Sequence, residues 1–132
     1  MKKILPIALS ALLMLSGCGS SSAVEDPVEK YGSDTLKLFT WGEYLGENVI
    51  SNFEKQYGVD VIVEYFDSNE MMFTKLQGGD SYDVIVPSDY MIQRLISEDM
   101  LQPIDKSLMG NMDVVTDGVK NLAYDPENDY SV

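Results

Sequence analysis

Strand-like apolar runs alternate along this chain with segments of helical spacing, and this alternation limits the possible fold more than any other feature. One β-rich run spans residues 36–41 and a second spans 59–66. In the second run, alternate positions are occupied by Val59, Val61, Val63 and Tyr65. Between the two runs lie four apolar residues with the spacing of one helix face: Val49, Ile50, Phe53 and Tyr57. Gly58 then supplies a helix stop, so the pattern predicts a β-α-β unit.

Two further helices and one further strand are predicted downstream. Ser68 is a candidate N-cap for a helix that ends at Gly78 and Gly79, and Ser88 is a candidate N-cap for the next helix. Their apolar faces consist of Met72, Phe73 and Leu76 in the first and Met91, Ile92, Leu95 and Ile96 in the second. Between them, residues 82–86 predict a strand whose Val-Ile-Val run is typical of burial on both faces. Alternating elements with short connections indicate the α/β class, with a parallel sheet covered by helices.

The signals weaken after Gln102. Pro103 and Asp105 predict a turn, residues 108–115 a short helix, and residues 125–129 a turn-rich segment. Residues 130–132 are typical of the start of another strand.

The N-terminus has the organisation of an export signal. Two lysines precede an apolar stretch over 4–15, which is shorter than the roughly 20 residues that a membrane-spanning helix needs. The Leu-Ser-Gly-Cys sequence that ends at Cys18 resembles a bacterial lipobox, in which the cysteine is lipidated and becomes the new N-terminus. We expect a signal peptide over 1–17, a lipidated Cys18 and flexible tether over 18–34, and an α/β lobe over 35–132, anchored outside the cytoplasm. The alternative is an ordinary secretory signal with a chance cysteine.

Composition removes several kinds of chemistry. Cys18 is the only cysteine and histidine is absent, so disulfide, thiol and histidine-dependent catalysis cannot be built from this chain alone. The 22 acidic and 9 basic side chains give a formal charge of −13. This charge disfavours nucleic acid and anionic lipid as partners and favours cations. No cofactor or metal is expected.

Two short motifs combine aromatic rings with carboxylates directly after predicted strands. Residues 41–44 read Trp-Gly-Glu-Tyr, and residues 87–90 read Pro-Ser-Asp-Tyr. An aromatic face attracts an organic cation by about 0.5–2 kcal/mol, and a carboxylate bonds an ammonium directly. Ligands of open parallel sheets bind outside the carboxyl ends of the strands, so both motifs and residues 67–70 are expected at one edge. The candidate ligand-binding residues are Trp41, Glu43, Tyr44, Ser88, Asp89 and Tyr90.

Two other interpretations of these motifs stay open. Trp and Tyr are common core residues, and carboxylates after strands are often solvated. The helix that begins after Ser88 also has a positive N-terminal dipole, which favours a phosphate or carboxylate ligand. Glu43 and Asp89 would repel an anion, and neither motif contains Lys or Arg. The residues therefore favour a cation with a hydrocarbon body.

The ordered motifs between Leu36 and Val132 resemble the spermidine/putrescine-binding lipoproteins of bacterial ABC transporters. The resemblance is carried by Trp-x-Glu-Tyr at 41–44, Asp-Ser-Asn-Glu at 67–70, Tyr-Asp-Val-Ile-Val-Pro-Ser at 82–88, Ile-Asp-Lys at 104–106 and Pro-Glu-Asn-Asp-Tyr-Ser at 126–131. It implies one parallel-sheet lobe of a two-lobed periplasmic-binding-protein type II fold, truncated before the second lobe. Such a protein closes on a linear polyamine and delivers it to membrane permease subunits.

The resemblance also implies roles for individual residues. Trp41 and Tyr44 would line the aliphatic chain of the polyamine, and Glu43 would pair with an amine. Ser88 and Tyr90 would complete the wall of this lobe. For the Ser-Asn-Glu segment after the second strand, helix capping by its serine is the expected role.

The chain departs from the family at Gly42 and Asp89, where family members carry hydroxyl residues. Asp89 adds a carboxylate, and Gly42 removes a hydrogen-bonding group. Family members are also much longer than these 132 residues, and their second lobe supplies further acidic and aromatic contacts. We expect this chain alone to bind polyamines weakly or not at all, because micromolar affinity needs about 8 kcal/mol.

Other function classes remain as alternatives. A binding protein with this fold could take an amino acid, a sugar or a metal complex. A surface-anchored hydrolase would have to use Glu43 and Asp89 as an acid/base pair, which nothing in their spacing requires. A non-transport lipoprotein that holds partners through its acidic face is a third class. We expect a binding protein and not an enzyme.

Overall fold

A parallel three-stranded sheet forms the centre of the molecule in the computed structural model, which describes residues 26–132. Its strands are β1 (Thr35–Trp41), β2 (Asp60–Phe66) and β3 (Val84–Ile85), in the order β2-β1-β3. β1 pairs in parallel with both neighbours, with Trp41 opposite Phe66 and Phe39 opposite Ile85. The predicted parallel α/β sheet is confirmed.

Four helices accompany the sheet among the described residues: α1 (Pro27–Tyr31), α2 (Val49–Tyr57), α3 (Asn69–Gln77) and α4 (Asp89–Ser97). α2 ends at Gly58, whose φ of 73° is the left-handed conformation that glycine adopts without strain. The Ser68 hydroxyl caps α3 by accepting from the backbone N–H of Met71 at 3.1 Å. In this strand order, the right-handed connections that parallel strands adopt predict α2 and α3 on opposite faces of the sheet. None of these helices is long and apolar enough to cross a membrane.

One short helix lies where the sequence predicts a tether without regular structure. α1 falls inside 18–34, because Asp26 caps its first turn and Gly32 ends it in the left-handed conformation. α1 has no buried residue. The predicted signal peptide over 1–17 and the predicted lipidation site Cys18 lie outside the described residues.

The core lies between the sheet and the helices α3 and α4. Its buried members are Phe39, Phe66, Met72, Phe73, Met91 and Leu95. The Phe39 ring meets the Phe66 ring edge-on, with centroids 4.9 Å apart, and stacks on the Tyr82 ring at 4.3 Å. Offset and edge-on ring pairs each contribute about 0.5–1.5 kcal/mol beyond burial. The helix faces predicted from the spacing of Met72, Phe73, Met91 and Leu95 are therefore confirmed.

Glu64 faces α3, where it forms a cluster with Lys75 and Tyr82 at the side of the core. Its Oε2 accepts from Lys75 Nζ at 2.7 Å and from the Tyr82 hydroxyl at 2.9 Å. These two hydrogen bonds lower the pKa of Glu64. The neighbouring Tyr65 points to the other side of β2 and is exposed, whereas Phe66 is buried. The face of β2 that contains Glu64 and Phe66 is therefore the one that contacts α3.

The third strand is shorter and more exposed than the sequence predicts. Only Val84–Ile85 forms a strand, and Val84 is 44% exposed, so the prediction of a strand over 82–86 that is buried on both faces is wrong. The reason is that β3 pairs only with β1, and no strand within residues 26–132 covers its other edge. Two backbone hydrogen bonds extend the pairing, from Asp83 to the carbonyl of Lys37 and from Val86 to that of Phe39.

The C-terminal segment consists of turns instead of the predicted helix and strand. Three 3₁₀ turns form at Lys106–Leu108, Met112–Val114 and Asp117–Val119. Gly110 separates the first two, which breaks the helix predicted over 108–115. Residues 130–132 form no strand. The turn predicted at Asp105 is present, since its carboxylate accepts from the backbone N–H of Ser107 at 3.0 Å.

Asp125 organises the turn-rich segment over 125–131. It is 4% exposed, and its carboxylate accepts from the backbone N–H groups of Asp129, Tyr130 and Ser131 and from the Ser131 hydroxyl at 2.7–3.0 Å. Burial raises the pKa of Asp125, but these hydrogen bonds together outweigh burial and hold the pKa below its ordinary value. Asp129 also pairs with Lys106 at 2.6 Å, which fixes this segment to the Asp105 turn.

Asp125→Asn is expected to lower the free energy of unfolding by about 1.5–3 kcal/mol, because a neutral amide has only one acceptor oxygen. Urea unfolding at neutral pH measures this difference. Asp113→Asn, at an exposed 3₁₀ turn, is the matched control, with an expected change below about 0.5 kcal/mol. The pKa of Asp125 is lowered by folding, so its ionised carboxylate stabilises the fold at a pH above the ordinary Asp pKa. This contribution is lost as the pH falls through the folded-state pKa, so the stability difference between variant and parent should vanish in acid. Equal stability of variant and parent at neutral pH would contradict this role.

Candidate functional site

The end of β1 and the loop that follows it present one partly buried and one exposed aromatic ring. Trp41, the last residue of β1, packs edge-on against Phe66 with centroids 4.5 Å apart. The Tyr44 ring lies 6.2 Å from the Trp41 ring at an angle of 36°, and Tyr44 is 67% exposed. Glu43, between them, is exposed and has a φ of 62°. A non-glycine residue in this left-handed region is uncommon, and such positions concentrate at binding sites.

The N-termini of α3 and α4 are joined by the side chain of Asn69. This residue is 5% exposed. Its Nδ2 donates to the Ser88 hydroxyl and to the Tyr90 hydroxyl, each at 3.0 Å, and its Oδ1 accepts from the backbone N–H of Ser88 at 3.1 Å. Asn69 therefore links two residues of the predicted site.

The Tyr90 hydroxyl has a second partner on α3. It donates to Glu70 Oε1 at 3.0 Å, while the Tyr90 side chain as a whole is 51% exposed. Asn69 and Glu70 were not among the predicted site residues. The Ser-Asn-Glu segment at the end of β2 is the signal that could have indicated them, but its serine suggests only a helix cap.

The N-terminus of α4 is already occupied by protein groups. Ser88 lies at the predicted N-cap position, yet its side chain makes no capping hydrogen bond because it accepts from Asn69 instead. Asp89 Oδ1 accepts from the backbone N–H of Tyr90 at 2.7 Å. A carboxylate in the first turn of a helix satisfies the positive end of its dipole. This arrangement counts against the anionic ligand that the dipole alone would favour.

Both motifs lie at the carboxyl edge of the sheet, as the parallel strand order requires. The loop after β1 begins at Trp41, the Asn69 segment follows β2, and Ser88 follows β3. Trp41 packs against the same buried cluster to which Met91 of α4 belongs. The ring contact between Trp41 and Tyr44 lies within the first group and the hydrogen bonds of Asn69 lie within the second, and both groups pack on the shared core. We call the six predicted residues, Trp41, Glu43, Tyr44, Ser88, Asp89 and Tyr90, the strand-end wall.

The cavity of about 1100 Å³ in the described residues lies elsewhere. It follows the open edge of β3 and is lined by Val84, Met100, Ile104 and Tyr130 among others. None of the six predicted site residues lines it. It is the groove left where β3 lacks a second neighbour, so the strand-end wall is the better candidate for ligand recognition.

A parallel α/β lobe with aromatic and carboxylate side chains at its strand ends is an arrangement that suits a solute-binding protein. The chain is 38% identical over 102 residues to the spermidine/putrescine-binding periplasmic protein of Salmonella typhimurium, across 76% of this chain and 29% of that protein. The spermidine/putrescine ABC transporter substrate-binding protein of Streptococcus pneumoniae superposes with a TM-score of 0.73 at 38% identity, over 76% of this chain and 31% of that one. A lipoprotein of Treponema pallidum superposes with a TM-score of 0.65 at 37% identity, over 70% and 30%. No family model matches.

Over about three quarters of its length, the chain is similar to part of the spermidine/putrescine-binding proteins. It spans 29% of the Salmonella relative and 31% of the Streptococcus protein. The described α/β lobe is correspondingly one part of the fold of those proteins. The expected resemblance is confirmed over the matched residues.

Asn69→Ala is expected to lower the free energy of unfolding by about 1–3 kcal/mol, because the partly buried N–H of Ser88 loses its acceptor. Thermal or urea unfolding measures the change. Asn52→Ala, on the exposed side of α2, is the control and should not destabilise the chain, because alanine favours a helix. An Asn69→Ala variant as stable as the parent would show that the link between α3 and α4 carries no stability.

Proposed function

We propose that the protein is an extracytoplasmic solute-binding lipoprotein that captures polyamines such as spermidine or putrescine for import by an ABC transporter. The observation that carries the proposal is the strand-end wall, in which aromatic rings and carboxylates follow parallel strands. The names of the Salmonella and Streptococcus relatives support the ligand class. The proposal assigns no enzymatic activity to the chain.

The proposed ligand contacts divide between a hydrocarbon and a charged part. Trp41 and Tyr44 offer ring faces to the methylene chain, and each ring face attracts a nearby ammonium by about 0.5–2 kcal/mol. Glu43 lies between them and offers a carboxylate that can accept charge-assisted hydrogen bonds. Ser88, Asp89 and Tyr90 complete the wall on the α4 side. This combination matches a linear alkylammonium and offers no basic group to an anion.

The charge of the chain supports the same ligand class. With 22 acidic and 9 basic residues, the chain attracts cations over distances of about a Debye length, roughly 8–10 Å at physiological salt. This field raises the rate of encounter with a polyamine but does not by itself select one. Selection is the role of the wall.

The magnitudes limit what this wall can do by itself. A charged hydrogen bond contributes about 1.5–3 kcal/mol and a cation–π contact about 0.5–2 kcal/mol, from which the association entropy must be subtracted. Millimolar affinity corresponds to about 4 kcal/mol and micromolar to about 8 kcal/mol. The wall therefore accounts for millimolar binding, and micromolar capture requires contacts from a second lobe.

Trp41 is the only tryptophan of the chain, so its fluorescence reports directly on the proposed wall. Titration of the full chain with putrescine at constant ionic strength should give a saturable change with a Kd in the millimolar range. The uncharged isostere 1,4-butanediol should give none. Glu43→Gln should weaken the putrescine response about tenfold, because one charge-assisted hydrogen bond is lost.

The control for this experiment is Glu47→Gln, which removes the same charge from an exposed position in the same loop. It should leave the putrescine response within about twofold, because Glu47 is exposed and lies outside the wall. An equal response to the diol, or to a sugar in place of putrescine, would contradict the polyamine proposal. Micromolar spermidine affinity in the 132-residue chain would contradict the need for a second lobe.

The lipid anchor and the permease partner are part of the same proposal. Cys18 follows a sequence that resembles a lipobox, and the Treponema relative is itself a lipoprotein. Lipidation at Cys18 would hold the binding lobe at the membrane surface, where permease subunits could receive the ligand.

Metabolic labelling with a fatty acid should label the chain in a bacterial host and place it in the membrane fraction. Cys18→Ser should abolish the label and release the chain into the soluble extracytoplasmic fraction, because Cys18 is the only thiol that can carry the lipid. A parent chain without label would contradict lipidation and would leave the polyamine proposal standing.

A further inference from the structure

We propose that Asn69 and Glu70 are positioning residues that hold the Tyr90 hydroxyl as a hydrogen-bond acceptor toward the ligand. In this arrangement the Tyr90 hydroxyl takes a donor group such as an alkylammonium and offers no hydrogen to a carboxylate or phosphate. The inference rests on the proposed function and extends it to two residues outside the predicted wall.

The direction of each hydrogen bond in this group follows from chemistry alone. The backbone N–H of Ser88 can only donate, so the oxygen of the Asn69 amide must face it at 3.1 Å. The amide nitrogen must then face the opposite way, toward the Ser88 and Tyr90 hydroxyls, and both of its hydrogens are used there. The orientation of the amide is therefore determined.

The remaining freedom of the Tyr90 hydroxyl is removed by Glu70. An ionised carboxylate can only accept, so the Tyr90 hydrogen must point at Glu70 Oε1, 3.0 Å away. A phenol oxygen has one hydrogen and two lone pairs. With its hydrogen given to Glu70 and one lone pair engaged by Asn69, a single lone pair is left for a ligand.

A single free lone pair discriminates between ligand classes. An ammonium can donate to it, and the negative charge of Glu70 on the other side of the hydroxyl strengthens that bond by polarising the phenol. A carboxylate or phosphate would meet a lone pair with no hydrogen to accept. At the Tyr90 hydroxyl this geometry therefore favours a cation over an anion.

Helix capping does not account for these contacts. Ser68 already caps α3 through its own hydroxyl, and the Asn69 side chain crosses to α4 instead of bonding the first turn of α3. A glutamate in the first turn of α3 would interact with the helix dipole from any exposed rotamer. The hydrogen bond from Tyr90 selects the rotamer that places Glu70 behind the hydroxyl.

A double-mutant cycle on ligand affinity tests the proposal in the full chain. Glu70→Gln, Tyr90→Phe and the double variant are titrated with putrescine and monitored by Trp41 fluorescence at constant ionic strength. Each single variant should weaken the response about tenfold, the scale of one charged hydrogen bond. The double variant should be no weaker than Tyr90→Phe, because Glu70 acts through that hydroxyl.

The matched control is Glu29→Gln, which removes an exposed glutamate from the first turn of α1, as Glu70→Gln does from the first turn of α3. It should leave the response within about twofold, because an exposed charge outside the wall is largely screened. Additive losses in the double variant would show that Glu70 acts only through its charge, and would overturn the positioning role.

A ligand-free measurement separates this inference from the proposed function. Without ligand, the NMR resonance of the Tyr90 ring carbon that bears the hydroxyl should shift in Glu70→Gln relative to the parent chain, because that hydroxyl donates to Glu70. Glu29→Gln should leave the resonance unchanged. The same resonance in Glu70→Gln and in the parent would overturn the positioning role alone. A shift in Glu70→Gln without any putrescine response in the parent would instead overturn the proposed function and, with it, the selection of donors.

Discussion

The parallel pairing of β1 with strands on both of its sides is the constraint on which the rest of the structure depends. Because β1 runs parallel to β2 and β3, all three strands end at the same edge of the sheet. Three segments far apart in sequence then lie along one edge. The buried cluster around Phe39 holds this arrangement, and Trp41 and α4 both pack against it.

The proposed site at this edge has two parts with different physical origins. Trp41 and Tyr44 offer ring surface after β1, and their position follows directly from the end of the strand. The α4 side depends on a hydrogen-bond group instead, in which Asn69 and Glu70 determine what Tyr90 can accept. The first element suits a methylene chain and the second suits a donor, and a linear polyamine has both.

Periodicity predicts the first two strands, the helices α2 to α4 and the gathering of the loops, because each depends on local spacing and on the parallel rule. The exposure of Val84 could not be predicted in this way, since burial of a central-looking strand depends on a neighbour that β3 lacks among the described residues. Asn69 was missed for a related reason. Its partners are 19 and 21 residues away, and only the folded distance between α3 and α4 reveals them.

The most direct test of the account is an NMR titration of the full chain with putrescine, because it shows where the ligand binds without assuming the site. The account predicts that amide shifts concentrate in the loops after β1, β2 and β3, including Glu43, Asn69 and Tyr90, and that 1,4-butanediol does not reproduce them. Shifts concentrated in the groove beside Met100 and Tyr130, or spread evenly over acidic residues, would contradict it.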